Sequence, residues 1–155
     1  MNSRERFRKA IHHEQPDRPP LDLGATWVTG ISASVYARLR TALGLPSRPP
    51  RIHEPYQLLG DVEEDVRERL GVDVIGLWAP GTIFGFRNDV GWKPWTMPDG
   101  TAVMVSNDFQ TTVDALGDTL IYPKGDRTAV PSGRLPEGGS FFDAIVRQEP
   151  IDEDH

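Results

Sequence analysis

The chain has 155 residues, a formal net charge of −6 and 37% hydrophobic residues. The acidic balance disfavours a broad nucleic-acid-binding face, which needs clustered lysine and arginine. The absence of cysteine excludes disulfides and cysteine-bound zinc within this chain. No apolar run approaches the roughly 18 residues that span a bilayer, and the N-terminus lacks the apolar stretch of a signal peptide. We therefore expect a cytoplasmic protein with no nucleic-acid partner and no membrane partner.

The first half of the sequence predicts alternating helices and strands. In chain order, the predicted elements are a helix capped by Asn2 and Glu5 and ended by the prolines of residues 15–20, a short strand at 21–23, an apolar loop at 24–31, a helix from about Ser32 or Ser34 to Leu43, a helix at 56–70 and a strand at 72–78. The last strand is nearly continuous in apolar residues, which is typical of a strand buried on both faces of a parallel sheet. A strand, a helix and a strand in this order predict a right-handed βαβ unit.

The second half of the sequence predicts short strands and turns. A hairpin is predicted around the turn sequence Pro98-Asp99-Gly100. Further short strands are predicted at residues 111–113 and 119–122. Two parallel strands cannot protect both edges of a sheet, so the sequence predicts the N-terminal part of a longer protein.

Several blocks of the sequence resemble the uroporphyrinogen decarboxylase superfamily. The opening SRERFRKAIHHEQPDRPPLDLG is similar to the start of that family, with a short arginine-rich helix, a Pro-Asp-Arg turn and a first barrel strand. The block LGVDVIGL, at residues 70–77, is similar to the family's second strand. The blocks that resemble an uncharacterised, methyltransferase-like branch are WKPWTMPDGT, LIYPKGDR, PSGRLPEGG and FFDAIVRQEPIDED.

The resemblance implies an α/β chain that forms the N-terminal portion of a (β/α)8 TIM barrel, a fold of typically about 250 residues. Residues 1–79 would supply the first two β/α elements. Residues 80–148 would form a β-hairpin-rich insertion after the second strand, and residues 149–155 a truncated linker. The missing C-terminal half of the barrel would then be a partner of this chain, and the fragment would be inactive alone.

The resemblance also implies an enzyme that is either a carboxy-lyase or a methyltransferase in its full-length form. Decarboxylases of the family use arginines after strand one to bind a polycarboxylate, whereas residues 24–30 contain no arginine and the next one is Arg38. They also place an aspartate at the end of strand two. This chain has Pro80 near that point, and Asp73 at the opposite end of the predicted strand. We therefore expect corrinoid-dependent methyl transfer to a thiol or pterin acceptor, with uroporphyrinogen decarboxylase activity in tetrapyrrole biosynthesis as the alternative.

The resemblance implies substrate-binding residues but no catalytic residue in this chain. Thr26 and Trp27 follow the first predicted strand and Trp78 ends the second, so in a barrel all three lie near the rim where active sites form. Indole rings suit a flat or apolar substrate, either a small molecule or a corrinoid-borne group. The methyltransferases hold zinc through histidine and cysteine ligands in later barrel strands. Zinc and a corrinoid protein are thus implied for the full-length enzyme, and no metal ligand or cofactor for this segment.

A different class of function is a non-catalytic binding module. In that hypothesis Trp92 and Trp95 of the predicted hairpin form a contact surface for a partner. His53, beside Glu54 in a proline-rich stretch, is a weak metal candidate because no third ligand accompanies the pair.

Overall fold

The structure is a computed structural model that describes residues 1–145. Its helices are α1 (Ser3–Ile11), α2 (Ala33–Ala42) and α3 (Glu64–Leu70). Its strands are β1 (Ile52–Glu54), β2 (Leu59–Gly60), β3 (Trp92–Thr96), β4 (Ala102–Ser106), β5 (Thr111–Val113), β6 (Thr119–Ile121), β7 (Gly133–Leu135) and β8 (Asp143–Ala144), with a 3-10 turn at Pro123–Gly125. The predicted linker at residues 149–155 and the end of the predicted insertion lie outside the described residues.

The described strands form small antiparallel sheets rather than the start of a parallel barrel. β1 pairs with β2, β3 pairs with β4, and β5 to β8 form a four-stranded sheet in chain order. The prediction of a (β/α)8 TIM barrel portion is therefore wrong for residues 1–145. Short connections join the strands that pair, and such connections favour antiparallel hairpins, whereas parallel pairing needs a crossover of about a dozen residues or more.

Residues 72–78 (the apolar run) and residues 21–25 lie side by side but form no β-ladder. One backbone hydrogen bond joins them, from the Asp73 N–H to the Leu21 carbonyl at 2.8 Å. Further along both segments, a Cβ on Gly76 would lie 2.6 Å from a backbone oxygen at residue 25, so the two run in the same direction. The strand predictions here are wrong, because a strand buried on both faces needs neighbouring strands, and the described part of the chain pairs none with the apolar run.

Helix α1 confirms the helix predicted at the N-terminus. The Asn2 side chain accepts a hydrogen bond from the Glu5 N–H at 2.9 Å, and the Glu5 carboxylate accepts one from the Asn2 N–H at 3.1 Å. These two bonds form the complete capping box that the spacing predicts. They satisfy backbone donors that the start of a helix would otherwise leave unpaired.

Only the second half of the helix predicted over residues 56–70 forms, as α3. The buried Glu54 carboxylate accepts hydrogen bonds from the backbone N–H groups of Tyr56 and Gln57, at 2.9 and 2.8 Å. These bonds hold a turn, and Leu58 within it has a φ of 55°, outside the right-handed helical region. The chain therefore pairs β1 with β2 at this point, and the helix begins only after β2.

A buried arginine joins α2 to the start of α3. The Arg40 side chain is 1% exposed and donates hydrogen bonds to Asp65 at 2.8 Å and to Glu63 at 2.9 Å. A guanidinium at this depth needs such partners, because an unpaired buried charge is strongly destabilising. The contact fixes the two helices against each other beside the apolar run.

The predicted hairpin forms β3 and β4, which pair in register along their full length. At the turn the Asp99 carboxylate accepts a hydrogen bond from the Thr101 N–H at 3.0 Å, and Gly100 has a φ of 84°. That left-handed conformation is one that glycine adopts without steric cost. The strands predicted near residues 111 and 119 form as well, as β5 and β6.

The main hydrophobic core lies under the β-rich second half of the chain. Its buried members are Ala33, Ile52, Leu58, Phe84, Phe86, Met97, Val103, Val105, Phe109, Ile121, Leu135 and Phe142. A smaller cluster of Tyr36, Val62 and Val66 lies between α2 and α3, with Leu23 packed against it. The smaller cluster supports the segment that leads to residues 24–29.

Candidate functional site

A buried carboxylate joins the N-terminal turn to the apolar run. The Asp73 side chain is fully buried and accepts hydrogen bonds from Arg6 at 2.5 Å, from Arg18 at 2.6 Å and from the Leu21 N–H at 2.9 Å. Arg6 also pairs with Asp17 at 2.7 Å. We call this group the Asp73 clamp. It connects helix α1, the Pro-Asp-Arg turn and the start of the apolar run.

The clamp holds both of its carboxyl groups in the ionised form. Burial by itself would raise the pKa of Asp73, but hydrogen bonds from the Leu21 N–H and from the surrounding side chains hold that pKa well below its ordinary value. For Asp17, the hydrogen bonds from Arg6 lower the pKa to about 2. At neutral pH neither group is poised to exchange a proton, so the clamp is structural and not an acid–base site.

The loop at residues 24–29 carries two of the three predicted substrate-binding residues. A hydrogen bond from the Gly24 N–H to the Thr29 carbonyl, at 2.8 Å, closes the loop. The Thr26 hydroxyl lies 3.0 Å from the Thr29 hydroxyl and accepts from the Thr29 N–H at 3.2 Å. That hydroxyl therefore stabilises the loop itself. Trp27 is 54% exposed and presents its ring to solvent.

Trp78, at the end of the apolar run, packs against a histidine from a distant part of the sequence. The ring centroids of Trp78 and His53 are 4.5 Å apart and the ring planes are tilted by 49°. Burial lowers the pKa of His53, so its ring is neutral at pH 7. Its Nδ1 atom is buried and has no hydrogen-bond partner within residues 1–145. An unpaired ring nitrogen therefore lies beside the indole.

The loop and Trp78 meet at the same end of the two neighbouring segments. A Cβ on Gly76 would lie 2.6 Å from the Ala25 carbonyl oxygen and 2.8 Å from the Trp78 indole nitrogen. Only a residue without a side chain allows both groups to approach this closely. The structure thus brings Trp78 next to the start of the loop that carries Thr26 and Trp27, and places the Asp73 clamp at the opposite end.

The contact between His53 and Trp78 was not predicted from the sequence. From the sequence, His53 is only a weak metal candidate. The two residues are far apart along the chain, and no motif or periodicity relates them. The only indication of this contact was the residue types, since histidine and tryptophan both combine an apolar ring with a polar atom.

Large apolar side chains around this site are uncovered. Leu77 is 100% exposed, Ile75 67% and Val28 95%. Folded domains seldom expose contiguous apolar patches of more than a few hundred Å², and those that do commonly use them for binding. The surface around Trp78 can therefore accept an apolar ligand or a further polypeptide segment.

The described residues contain no metal site and no membrane-crossing helix. Within residues 1–145, no group of three or more His, Cys, Asp or Glu side chains could hold a metal ion. The zinc implied by the family resemblance thus has no ligand set in this part of the chain, and we assign it no chemical step. Among the same residues, every helix is too short or too polar to cross a bilayer.

Comparisons of this chain with models of protein families, with curated proteins and with solved structures found no match. The resemblance to the uroporphyrinogen decarboxylase superfamily therefore depends on the sequence blocks quoted above.

Proposed function

We propose that this chain is the N-terminal part of an enzyme of the uroporphyrinogen decarboxylase superfamily, and that the enzyme transfers a methyl group between a corrinoid and a thiol or pterin acceptor. The observation that carries the proposal is the Asp73 clamp. It joins the opening block of the resemblance, through Arg6 and Arg18, to the block at residues 70–77. The opening block and the block at residues 70–77 therefore form one structural unit, as expected if both belong to a common site.

Trp27 and Trp78 are the proposed walls of the substrate pocket. Both are substantially exposed, at 54% and 40%, and both lie at the end of the unit remote from the clamp. Thr26 supports this wall indirectly, because its hydroxyl is bonded to Thr29 and shapes the loop. An indole face offers a flat apolar surface to a corrinoid-borne or tetrapyrrole substrate.

The exposed apolar run supports the proposal that further polypeptide of the same enzyme completes the site. Leu77 and Ile75 are mostly uncovered, although the run contains only one charged residue, Asp73, which is buried in the clamp. Zinc and the polypeptide of a corrinoid protein would then be bound with the help of that further polypeptide, whereas the corrinoid ring itself would contact Trp27 and Trp78. We expect the enzyme to act in the cytoplasm and this chain to be inactive alone.

Decarboxylation is the weaker alternative. A polycarboxylate substrate needs unpaired arginines, but Arg6 and Arg18 already pair with Asp73. The loop at residues 24–30 contains no arginine. Release of carbon dioxide from uroporphyrinogen by any longer form of the protein would nonetheless establish this activity.

A non-catalytic module built on the β3–β4 hairpin has no specific support. Trp95 packs on Phe109 with ring centroids 5.0 Å apart. The Arg51 guanidinium lies 5.5 Å from the centre of the Trp92 ring. Both indoles therefore already have partners within the chain.

Calorimetric titration with methylcobalamin tests the proposed pocket. We expect the chain to bind methylcobalamin, and Trp78→Ala and Trp27→Ala to weaken the binding by about tenfold each, through loss of an aromatic contact. Trp92→Ala, outside the pocket, is the control and should bind as the parent does. Binding of uroporphyrin in preference to methylcobalamin, or equal losses in all three variants, would contradict the proposal.

A further inference from the structure

A second concave site lies away from the proposed pocket. It is a cleft of about 680 Å³ between the start of α2, the β3–β4 turn, the β5–β6 hairpin and residues 136–140. None of its lining residues belongs to the loop at residues 24–29 or to the contact between His53 and Trp78. Its volume falls within the range of roughly 300–1,000 Å³ that small-molecule sites occupy. We propose that this cleft binds a cyclic polyol, of the size of a monosaccharide.

Two threonines, Thr111 and Thr119, line the cleft, and their hydroxyls have no partner among residues 1–145. Thr119 lies directly opposite Val113, and Thr111 is two residues before Val113 on the same strand, so all three share one face of the sheet. In the part of the chain that the structure describes, neither the Thr111 nor the Thr119 hydroxyl makes a hydrogen bond. By contrast, the Thr112 hydroxyl on the opposite face lies 2.7 Å from the Tyr122 hydroxyl. Ligand hydroxyl groups would give the two cleft threonines the partners they lack.

The charged residues that line the cleft, Arg38, Asp99 and Glu137, suit a neutral ligand with several hydroxyls. Burial by itself would raise the pKa of Asp99, but the Thr101 N–H, the nearby hydroxyls and the charge of Arg38 hold that pKa below its ordinary value. Asp99 is therefore ionised, with Arg38 close enough to offset its charge. Glu137 also lines the cleft and forms no ion pair within residues 1–145. Carboxylates accept strong hydrogen bonds from hydroxyls, and a guanidinium donates them.

Trp95 gives the cleft one apolar wall. Its ring is tilted by 60° against the Phe109 ring, with centroids 5.0 Å apart, and Phe109 is buried in the main core. The indole is thus held in place while part of it remains accessible to the cleft. The C–H face of a sugar ring would lie against the indole while its hydroxyls meet the threonines and carboxylates. A purely apolar ligand would contact only the indole face, and an ion without hydroxyls would contact only the polar groups.

Saturation-transfer NMR on the full chain, with a panel of neutral monosaccharides, tests this inference. We expect at least one sugar to bind with a millimolar Kd. Thr111→Val and Thr119→Val should each weaken that binding about fivefold, the effect of one neutral hydrogen bond. Thr112→Val, on the opposite face of the same hairpin, is the matched control and should bind as the parent does. Glu137→Gln should also weaken binding, because it removes a charged acceptor.

Several results would overturn the inference. One is the absence of saturation transfer to every sugar of the panel at millimolar concentration. Another is binding that survives in the double variant of Thr111→Val and Thr119→Val, or that Thr112→Val weakens equally. Because the two cleft hydroxyls have no partner in the described part of the protein, their removal should leave the melting temperature unchanged, and a circular-dichroism melt of each variant verifies this.

Discussion

Residues 1–79 and residues 80–145 bury their apolar side chains in different ways. In the second region the strands form two antiparallel sheets, β3–β4 and β5 to β8, and four phenylalanines between them meet in one core. In the first region the most apolar segment, the apolar run, forms no ladder with any described residue, and its Leu77 is fully exposed. Hydrophobicity alone therefore does not bury a segment. It is buried only where the chain nearby supplies a partner with the right geometry.

The two regions also differ in what fixes their geometry. The second region depends on packing, with the Phe142 ring centroid 5.8 Å from that of Phe84 and 6.2 Å from that of Phe109. In the first region, charged hydrogen bonds fix much of the geometry, above all those of the Asp73 clamp around one buried carboxylate. We therefore expect substitutions in the packed core to destabilise the second region most. Substitutions of charged residues, and acid, should destabilise the first region most.

The largest effect is expected from Phe142→Ala. Phe142 is completely buried in the main core, and truncation of a buried phenylalanine removes apolar contacts and leaves a cavity. We expect the free energy of unfolding to fall by about 4 kcal/mol, measured by urea denaturation. Phe141→Ala is the control, because Phe141 is 52% exposed and should change stability little. Equal effects of the two variants would mean that this core does not hold the second region.

A smaller loss is expected from Asp73→Asn. The substitution removes the charge that Arg6 and Arg18 share, and leaves buried donors with a weaker acceptor. We expect a loss of about 3 kcal/mol at neutral pH, measured by urea denaturation. Asp89→Asn, which breaks an exposed pair with Arg87, is the control and should have little effect. A neutral result for Asp73→Asn would show that the clamp does not determine the geometry of the first region.

Acid should weaken the same clamp. The pKa of Asp73 lies below its ordinary value of 3.8 in the folded state, and that of Asp17 is lowered to about 2. Groups with a depressed folded pKa contribute stability above their unfolded pKa and lose it as the pH falls through the folded pKa. The parent should therefore lose stability progressively below about pH 4, and Asp73→Asn should show a shallower decline. Equal slopes for the two proteins would contradict this assignment.

The smallest effect on stability is expected from Leu77→Lys. Because Leu77 is fully exposed, its replacement should change the free energy of unfolding by no more than about 0.5 kcal/mol. It should reduce self-association, measured by sedimentation velocity, since an uncovered apolar run is a site for unwanted contacts. Leu116→Lys, at a position 73% exposed near the β5–β6 turn, is the matched control. Strong destabilisation by Leu77→Lys would mean that this residue is covered in the folded protein.

Elements with a local cause were predictable from the sequence. Asn2 and Glu5 of the capping box are three positions apart, and the turn at Pro98-Asp99-Gly100 needs only its own backbone conformations. Both formed as predicted, because the groups that stabilise them are close together in the chain. The helix predicted over residues 56–70 was too long. The buried Glu54 carboxylate accepts hydrogen bonds from two backbone N–H groups that follow it, and these bonds hold a turn in place of the first part of the helix.

The candidate site was predictable only in part. The family resemblance predicts that Trp27 and Trp78 lie near the same rim of a barrel. In the structure Trp78 lies beside the start of the loop that carries Trp27, and Gly76 leaves room for this approach. The barrel itself was wrong, and the Thr26 hydroxyl was already bonded to Thr29. The contact between His53 and Trp78 depends on how β1 packs against the end of the apolar run, which no local pattern encodes.

The sequence by itself determined the first helix, the hairpin turns, the acidic charge and the positions of the aromatic residues. These features depend on composition or on groups a few residues apart, where the entropy lost on bringing them together is small. Only the tertiary structure decided that the apolar run would lie exposed beside residues 21–25, and that Arg6 and Arg18 would both bind Asp73. Those outcomes depend on which distant segments meet, and a segment forms a buried strand only when other strands lie beside it.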